Sequence, residues 1–277
     1  HHGLVRDPGA VLEIMTKERI DSLVGIPTQV LTLACSESPV QGADKIFLKS
    51  VLLSTDHVPV TIVSYLKKTW GCRVFNHYGM TEMGLGGGVE CEALAGYHLR
   101  EADLLFEIIH PETGEVLPEG EEGEVVFTTL TRQGMPLIRY RTGDIAGFIP
   151  EPCPCGTVLK RMSPVRDRVQ GRIALTGGGI LSMSRLDEAL FAVKGVINFQ
   201  AALSTENNTD RLDLIVQAAG WAAENVPFLV ERALFSDPVI SCNFRRGKLI
   251  LAPIRVEPLR ELRRPQKRVI RDLRSED

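Results

Sequence analysis

No apolar run in this sequence approaches the roughly 20 residues that a membrane-spanning helix needs. The opening residues, HHGLVRDPGA, lack the basic-then-apolar order of a secretion signal. Six cysteines in 277 residues are too few for a dense disulfide framework, so reduced thiols in a cytoplasmic setting are expected. Neither sign of charge dominates: the formal net charge is -3, which creates no general field for nucleic acid. Internal repeats and low-complexity segments are also missing. These absences exclude a helical membrane protein, a basic nucleic-acid binder and a small disulfide scaffold. What remains is an ordinary globular balance, 44% hydrophobic and 24% charged, long enough for about two domains.

The apolar pattern predicts an α/β fold. VLEIMTKER reads as an amphipathic helix with Val11, Ile14 and Met15 on one face. DSLVGIP reads as a short buried strand ended by Gly25 and Pro27, and TQVLTLAC as a helix capped by Thr28. IFLKSVLLSTD is strand-like, VTIVSYLKKTWG is a helix closed by Gly71, and CRVFNHYG is the next strand. Such alternation implies a parallel sheet with flanking helices. Ligands of such sheets sit beyond the carboxyl ends of strands, where LLSTD and FNHYGMTE fall. After Cys91 the residues alternate apolar and polar between turns at PETG and PEGEEG, which predicts antiparallel strands. GRIALTGGGILSMSRLDEALFAV opens another unit, with a glycine run before a helix capped by Ser184. INFQAALS and RLDLIVQAA then read as strands, VPFLVERALFS as a helix and ISCNFRRGKLILAPIRV as a strand. The chain therefore divides near Gly171. Residues 1–171 hold the sheet portion, about 1–90, and the antiparallel portion, about 91–171. Residues 172–277 form a small α+β domain.

One stretch carries chemistry: NHYGMTEMGLGGGVEC, Asn76 to Cys91. Its glycines let the backbone turn and let a ligand approach closely. Tyr78 offers a flat face, Thr81 a hydrogen bond and Glu82 a ligand for a hard cation. Those are parts for a nucleotide phosphate and its magnesium.

YGMTE, followed by RYRTGD and then GR, resembles the adenylate-forming enzymes, the acyl-CoA synthetase superfamily. GGVECEALAGYHLREADLLFEII, GEVLPEGEEGEVVFTTLTRQGMPLIRYRTGD and CPCG resemble its phenylacetate–CoA ligase branch, in the same order. The resemblance covers most of residues 11–172. It implies a carboxylic acid, ATP and coenzyme A as small-molecule partners, with an acyl-adenylate between the two half-reactions. A homodimer is left open. By the same resemblance Tyr78 stacks on adenine, with His77, Gly79 and Met80 beside it. Thr81 bonds the α-phosphate, and Glu82 binds Mg²⁺. Ser54, Thr55 and Asp56 line the adenine pocket, although STD departs in type from the family's glycine-containing turn. Asp144 accepts from the ribose hydroxyls and Arg172 reaches ribose or phosphate. Arg139 and Arg141 pair with carboxylates of their own strand, or one reaches the nucleotide. Gly177, Gly178 and Gly179 resemble the loop that builds the thiol tunnel. Plain alternatives stand beside these roles: a core tyrosine, a turn aspartate, a surface arginine, a simple glycine turn.

The sequence departs from the family in three places. Nothing in residues 1–77 resembles the glycine- and serine-rich phosphate loop, so a longer protein is expected, and the 277 residues alone are expected not to adenylate acids. Ala174 stands where the hinge Asp or Lys is usual, and Pro265 stands where the C-terminal lysine would be. Lys267 is the candidate replacement, or a solvated charge in a basic tail. Two alternatives to an aryl or small acid–coenzyme A ligase stand: adenylate transfer to an acceptor other than coenzyme A, and a non-catalytic AMP/ATP-binding module, which rests on that lysine.

The remaining constellation is Cys91, His98, Cys153 and Cys155. Three thiolates and an imidazole make a structural zinc set. The Cys-x-Cys spacing is tighter than usual, and two unrelated buried pairs are the alternative. Cys35, Cys72 and Cys242 lie in apolar stretches and read as core.

Overall fold

The computed structural model describes residues 3, 5–36, 46–258 and 268–274. The chain begins with α1 (Pro8–Lys17), β1 (Ser22–Gly25), α2 (Pro27–Ser36), β2 (Ser50–Leu53), α3 (Val60–Trp70) and β3 (Arg73–Tyr78). Local chemistry explains several boundaries. Asp7 accepts from the Ala10 amide at 3.1 Å and Pro8 opens α1, a capped start. Gly71 ends α3 with φ +65°, the left-handed region that only glycine enters without strain. Strands β1, β2 and β3 are parallel neighbours, as the alternation predicts.

Seven strands follow: β4 (Gly88–Glu90), β5 (Tyr97–Leu99), β6 (Leu104–Ile109), β7 (Glu122–Thr129), β8 (Tyr140–Ile149), β9 (Arg161–Met162) and β10 (Asp167–Arg168). All pair antiparallel. The two portions are one hydrogen-bonded sheet, in the order β1-β2-β3-β4-β5-β9-β8-β7-β6, with β10 on β8. The reversal of direction comes at β3–β4, just before Cys91.

Beyond Gly171 lie β11 (Ile173–Ala174), β12 (Ile180–Leu181), α4 (Met183–Leu190), β13 (Val196–Glu206), β14 (Thr209–Ala218), α5 (Val226–Ser236), α6 (Pro238–Arg245), β15 (Leu249–Leu251), β16 (Arg255–Pro258) and β17 (Ile270–Asp272). The β13–β14 hairpin turns at Asn207 and Asn208, both at positive φ, the pattern of a two-residue hairpin turn. Strands β15, β14, β13 and β17 form the second sheet, with β16 also on β14.

Five local expectations are corrected. Strand β1 is not buried: Ser22 and Val24 are exposed, Val24 at 69%, and Leu23 is half-buried, because β1 lies at the edge of the sheet. Thr28 lies inside α2, which starts at Pro27. Ser182, not Ser184, caps α4; Ser184 bonds Ser182 and Asp167 instead. The first half of ISCNFRRGKLIL is helix α6, because Asp237 accepts from the amides of Val239 and Ile240 and nucleates a turn. Ile14 is 40% exposed, so the buried face of α1 is Val11 and Met15 alone.

Two cores hold the molecule. The first runs without a break from the parallel layer (Val51, Leu53, Ile62) into the C-terminal unit (Leu186, Leu203, Leu212). The second fills the antiparallel portion with Tyr78, Tyr97, Phe106, Phe127 and Phe148. No helix among the described residues is long and apolar enough to cross a membrane.

Candidate functional site

Strand β3 delivers Tyr78 into the second core, and β8 delivers Asp144 beside it. The Tyr78 hydroxyl donates to Asp144 Oδ2 at 3.0 Å. Arg168 Nε lies 2.7 Å from Asp144 Oδ1, and its Nη2 donates to the Thr142 carbonyl at 2.6 Å. The pairing of β10 with β8 sets Arg168 directly opposite Asp144. Asp144 is only 7% exposed. Burial pushes its carboxyl pKa up, and the Arg168 charge and Tyr78 hydroxyl pull it back without reversing the rise. Burial and the Asp144 charge drive the Tyr78 pKa far up, so its hydroxyl stays a donor. One face of the Tyr78 ring lies on Tyr97, with centroids 5.8 Å apart.

Thr81 and Glu82 sit in one turn of 3-10 helix, Thr81–Met83. Thr81 is exposed and Glu82 half-buried. Arginines fix this turn from behind. Arg132 donates to the Glu82 carbonyl and Arg100 to the Met83 carbonyl, each at 2.8 Å. Arg100 is itself held by Asp103 at 2.7 Å. Among the described residues the Glu82 carboxylate has no ion-pair partner, so it is available to a cation. Met80 leads into the turn and packs on the second core. Gly79 and Gly86 are forced: a Cβ on Gly79 would stand 2.8 Å from the Gly86 Cα, and one on Gly86 2.2 Å from His77 Nε2. His77 Nδ1 meets Ser54 Oγ at 2.8 Å, and burial pulls the imidazole pKa down.

The other expected site residues lie elsewhere. Arg172, expected at ribose or phosphate, is exposed; the residue paired with Asp144 is Arg168. Thr55 is exposed at φ +78°. Asp56 accepts from the His57 amide at 2.9 Å and feels the charge of Arg268. Gly178 and Gly179 belong to the C-terminal unit, where Asn243 donates to the Gly178 carbonyl at 2.8 Å and Val239 packs against Gly179. Lys267 and Pro265 lie outside the described residues. Arg139 and Arg141 pair with Glu107 and Glu124, on other strands of the sheet rather than on their own. Arg168, Arg100 and Arg132 were missed by sequence reasoning. Only the VRDR stretch carried a signal, an aspartate and arginines two residues before Gln170.

The cysteine constellation does assemble. Cys91 follows β4, His98 is on β5, and Cys153 and Cys155 lie in the turn after β8. Their ligand atoms all lie within 4.8 Å of one another. Cys91 Sγ is 3.6 Å from Cys153 Sγ, and Cys155 Sγ is 3.4 Å from His98 Nε2. A tetrahedral zinc with bonds of about 2.3 Å to sulfur has edges of about 3.8 Å, so the donor set fits. The Cys155 amide donates to Cys153, which with neighbouring donors brings that thiol down to about 6. Burial pushes the Cys91 thiol up.

Comparison with known proteins shows what the chain is similar to. The family of AMP-binding enzymes matches residues 1–131. A phenylacetate-coenzyme A ligase of Thermus thermophilus is 32% identical over 208 residues, 73% of this chain and 45% of that protein. The chain thus spans a little under half the length of this curated relative. A solved 2-hydroxyisobutyryl-CoA ligase in its postadenylation state superposes with a TM-score of 0.74 at 18% identity, over 97% of this chain and 57% of that one. The same ligase in its thioesterification state superposes at 0.55, with 19% identity and the same coverages.

Proposed function

Because the chain belongs to the adenylate-forming enzymes, in their phenylacetate–coenzyme A ligase-like branch, we propose that it forms the nucleotide-holding part of an acid–coenzyme A ligase. The observation that carries this reading is the buried Asp144 carboxylate, aligned by Tyr78 and Arg168 beside the YGMTE turn. An ionised carboxylate has about four acceptor positions. Tyr78 and Arg168 take one on each oxygen, which leaves one on each for the two ribose hydroxyls. By the family pattern adenine lies against Tyr78, which is 7% exposed and already packs on Tyr97. Thr81, exposed at the head of its turn, donates to the α-phosphate.

In the first half-reaction a carboxylate oxygen of the acid attacks the α-phosphorus, and the bond to pyrophosphate breaks. In the second, the coenzyme A sulfur attacks the acyl carbon and AMP leaves. The first step brings two anions together, so donors fixed in advance lower its barrier. Arg100 and Arg132 hold the Thr81–Met83 turn so that its donor does not have to reorganise. Glu82 would hold a magnesium ion, which would supply neutralisation of phosphate charge. Cys91, His98, Cys153 and Cys155 would give a zinc ion four protein ligands and leave no open position, hence a structural role. Held so, these residues would tie the loop after Tyr78 to the turn after β8, the two segments that would flank the nucleotide. Lys267 is the candidate for the C-terminal lysine, and the reaction takes place in the cytoplasm without nucleic acid or membrane.

Pro265 favours a second reading, a module that binds AMP and no longer adenylates. One measurement tests the site that both readings share, and a second separates them. Calorimetry with AMP gives binding that Asp144→Ala weakens under either reading; unchanged affinity removes Asp144 from the site. Acid-dependent exchange of pyrophosphate into ATP is expected of the ligase alone, and its absence in the protein as the cell makes it leaves the binding module.

A further inference from the structure

Helix α3 has no cap of its own. Its N-cap residue is Pro59, which offers no side-chain hydrogen bond. The first amide of the helix, that of Val60, instead donates to Glu188 Oε1 at 3.0 Å. Glu188 sits on α4, in the C-terminal unit, so one domain caps a helix of the other. A carboxylate there also meets the positive end of the helix dipole. The same Oε1 lies 3.5 Å from Nε2 of His57, an imidazole that is largely buried. Other charges face this imidazole. Asp187 on α4 pairs with Arg268 at 2.7 Å, and that guanidinium lies over the rings of Phe191 and Phe199. Asp56 is the adjoining residue on the His57 loop, and the Val165 carbonyl approaches from the segment between β9 and β10.

We propose that Glu188 and His57 form a charge-dependent latch that holds the C-terminal domain against the parallel layer. The latch needs an imidazolium and a carboxylate. Burial alone lowers the His57 pKa, but Glu188 and Asp187 outweigh it and the net direction is up from 6.5. Burial raises the Glu188 pKa, but the His57 and Val60 contacts outweigh it and the net direction is down from 4.5. The histidine contribution is therefore complete below 6.5 and is lost as pH rises through the raised value. The glutamate contribution is complete above 4.5 and is lost as pH falls through the lowered value. The latch is strongest between those pH values and weakens toward the alkaline side. The loop that carries His57 also carries Ser54, which bonds His77 beside Tyr78, so the latch and the candidate nucleotide site share one short segment. On the ligase reading, a change of domain placement between half-reactions breaks this contact; the latch itself does not depend on that reading.

Amide exchange of Val60 in the whole chain without nucleotide tests the proposal, so its outcome is separate from that of AMP binding. After correction for intrinsic exchange, Val60 protection is expected to fall several-fold as pH rises from 6 to 8, while Phe127 in β7 stays unchanged. Glu188→Gln keeps an oxygen for the amide but removes the charge, so protection persists and its pH dependence disappears. His57→Gln also removes the pH dependence, and Glu188→Ala lowers protection at every pH. Protection that ignores pH in the unaltered chain, or a pH dependence that survives His57→Gln, overturns the latch. If a variant does not fold, the His57 pKa read by NMR in the unaltered chain decides: a value at or below 6.5 overturns it.

Discussion

The two cores differ in what they enclose. The first is mostly aliphatic and joins the parallel layer to the C-terminal unit. Its buried carboxylates, Asp187 and Asp210, are matched by Arg268 and Arg274 from the end of the chain. Asp210 also accepts from the Thr176 amide and hydroxyl, which leaves it little capacity for a ligand. Among the described residues Asp187 has only its ion pair and no hydrogen bond on either oxygen, so it is Asp210 that contrasts with Asp144. The second core is rich in aromatic rings and surrounds Asp144, whose partners each take only part of its acceptor capacity. Tyrosine suits such a place because its ring packs while its hydroxyl reaches a polar group. The contrast teaches that a buried charge marks a site when its partners align it without saturating it.

The contrast breaks hardest at Phe127, fully buried in the second core. Phe127→Ala is expected to cost about 3–5 kcal/mol in chemical denaturation. Trp70 is buried in the first core and Trp221 is 60% exposed on the C-terminal unit that this core serves, so neither reports on the second core. Loss of far-UV signal ahead of the tryptophan transition shows that the halves separate. A single shared transition shows that the continuous sheet couples them.

Metal comes next. Protein purified without added metal or metal-affinity resin is expected to carry zinc. Cys153→Ser is expected to release it, lower thermal stability and loosen AMP binding without removing a nucleotide contact. Metal content near zero, with freely titrating thiols and unchanged stability in the variant, sinks the site.

Asp144→Ala follows, with AMP affinity reduced by about 1.5–3 kcal/mol, the worth of hydrogen bonds to a charged group. Arg168→Gln, which leaves the carboxylate but loosens its alignment, is expected to weaken AMP less. If Arg172→Gln has the larger effect, the assignment of Arg168 is wrong. The smallest effect belongs to the first half of the chain. Gly71→Ala meets no atom within 4 Å, so only its φ of +65° opposes the change. The expected loss is about 1 kcal/mol, read from the tryptophan transition.

Contiguous chemistry was legible in the sequence. Tyr78, Thr81 and Glu82 are close neighbours in the chain, and RTGD placed Asp144 on a strand of the predicted antiparallel portion. The strand–helix alternation was legible because its apolar periods are local, and the cysteine set because few other residue types bind zinc. What escaped were partners set by register and by reach. Arg168 meets Asp144 only because β10 lies antiparallel on β8, and GR at 171–172 looked the better match. Arg100 and Arg132 grip carbonyls, which carry no side-chain signal.

The sequence by itself determined the family, the α/β class, the change to antiparallel strands and the pieces of the site. Each depends on residues close together in the chain, where periodicity and motif order carry the information. Tertiary structure alone decided that Asp144 is shared by Tyr78 and Arg168, that Asp56 serves the domain junction, and that Glu188 caps α3 from another domain. Those contacts join segments far apart in sequence. Strand register and the continuity of the first core bring them together, and no local pattern encodes either.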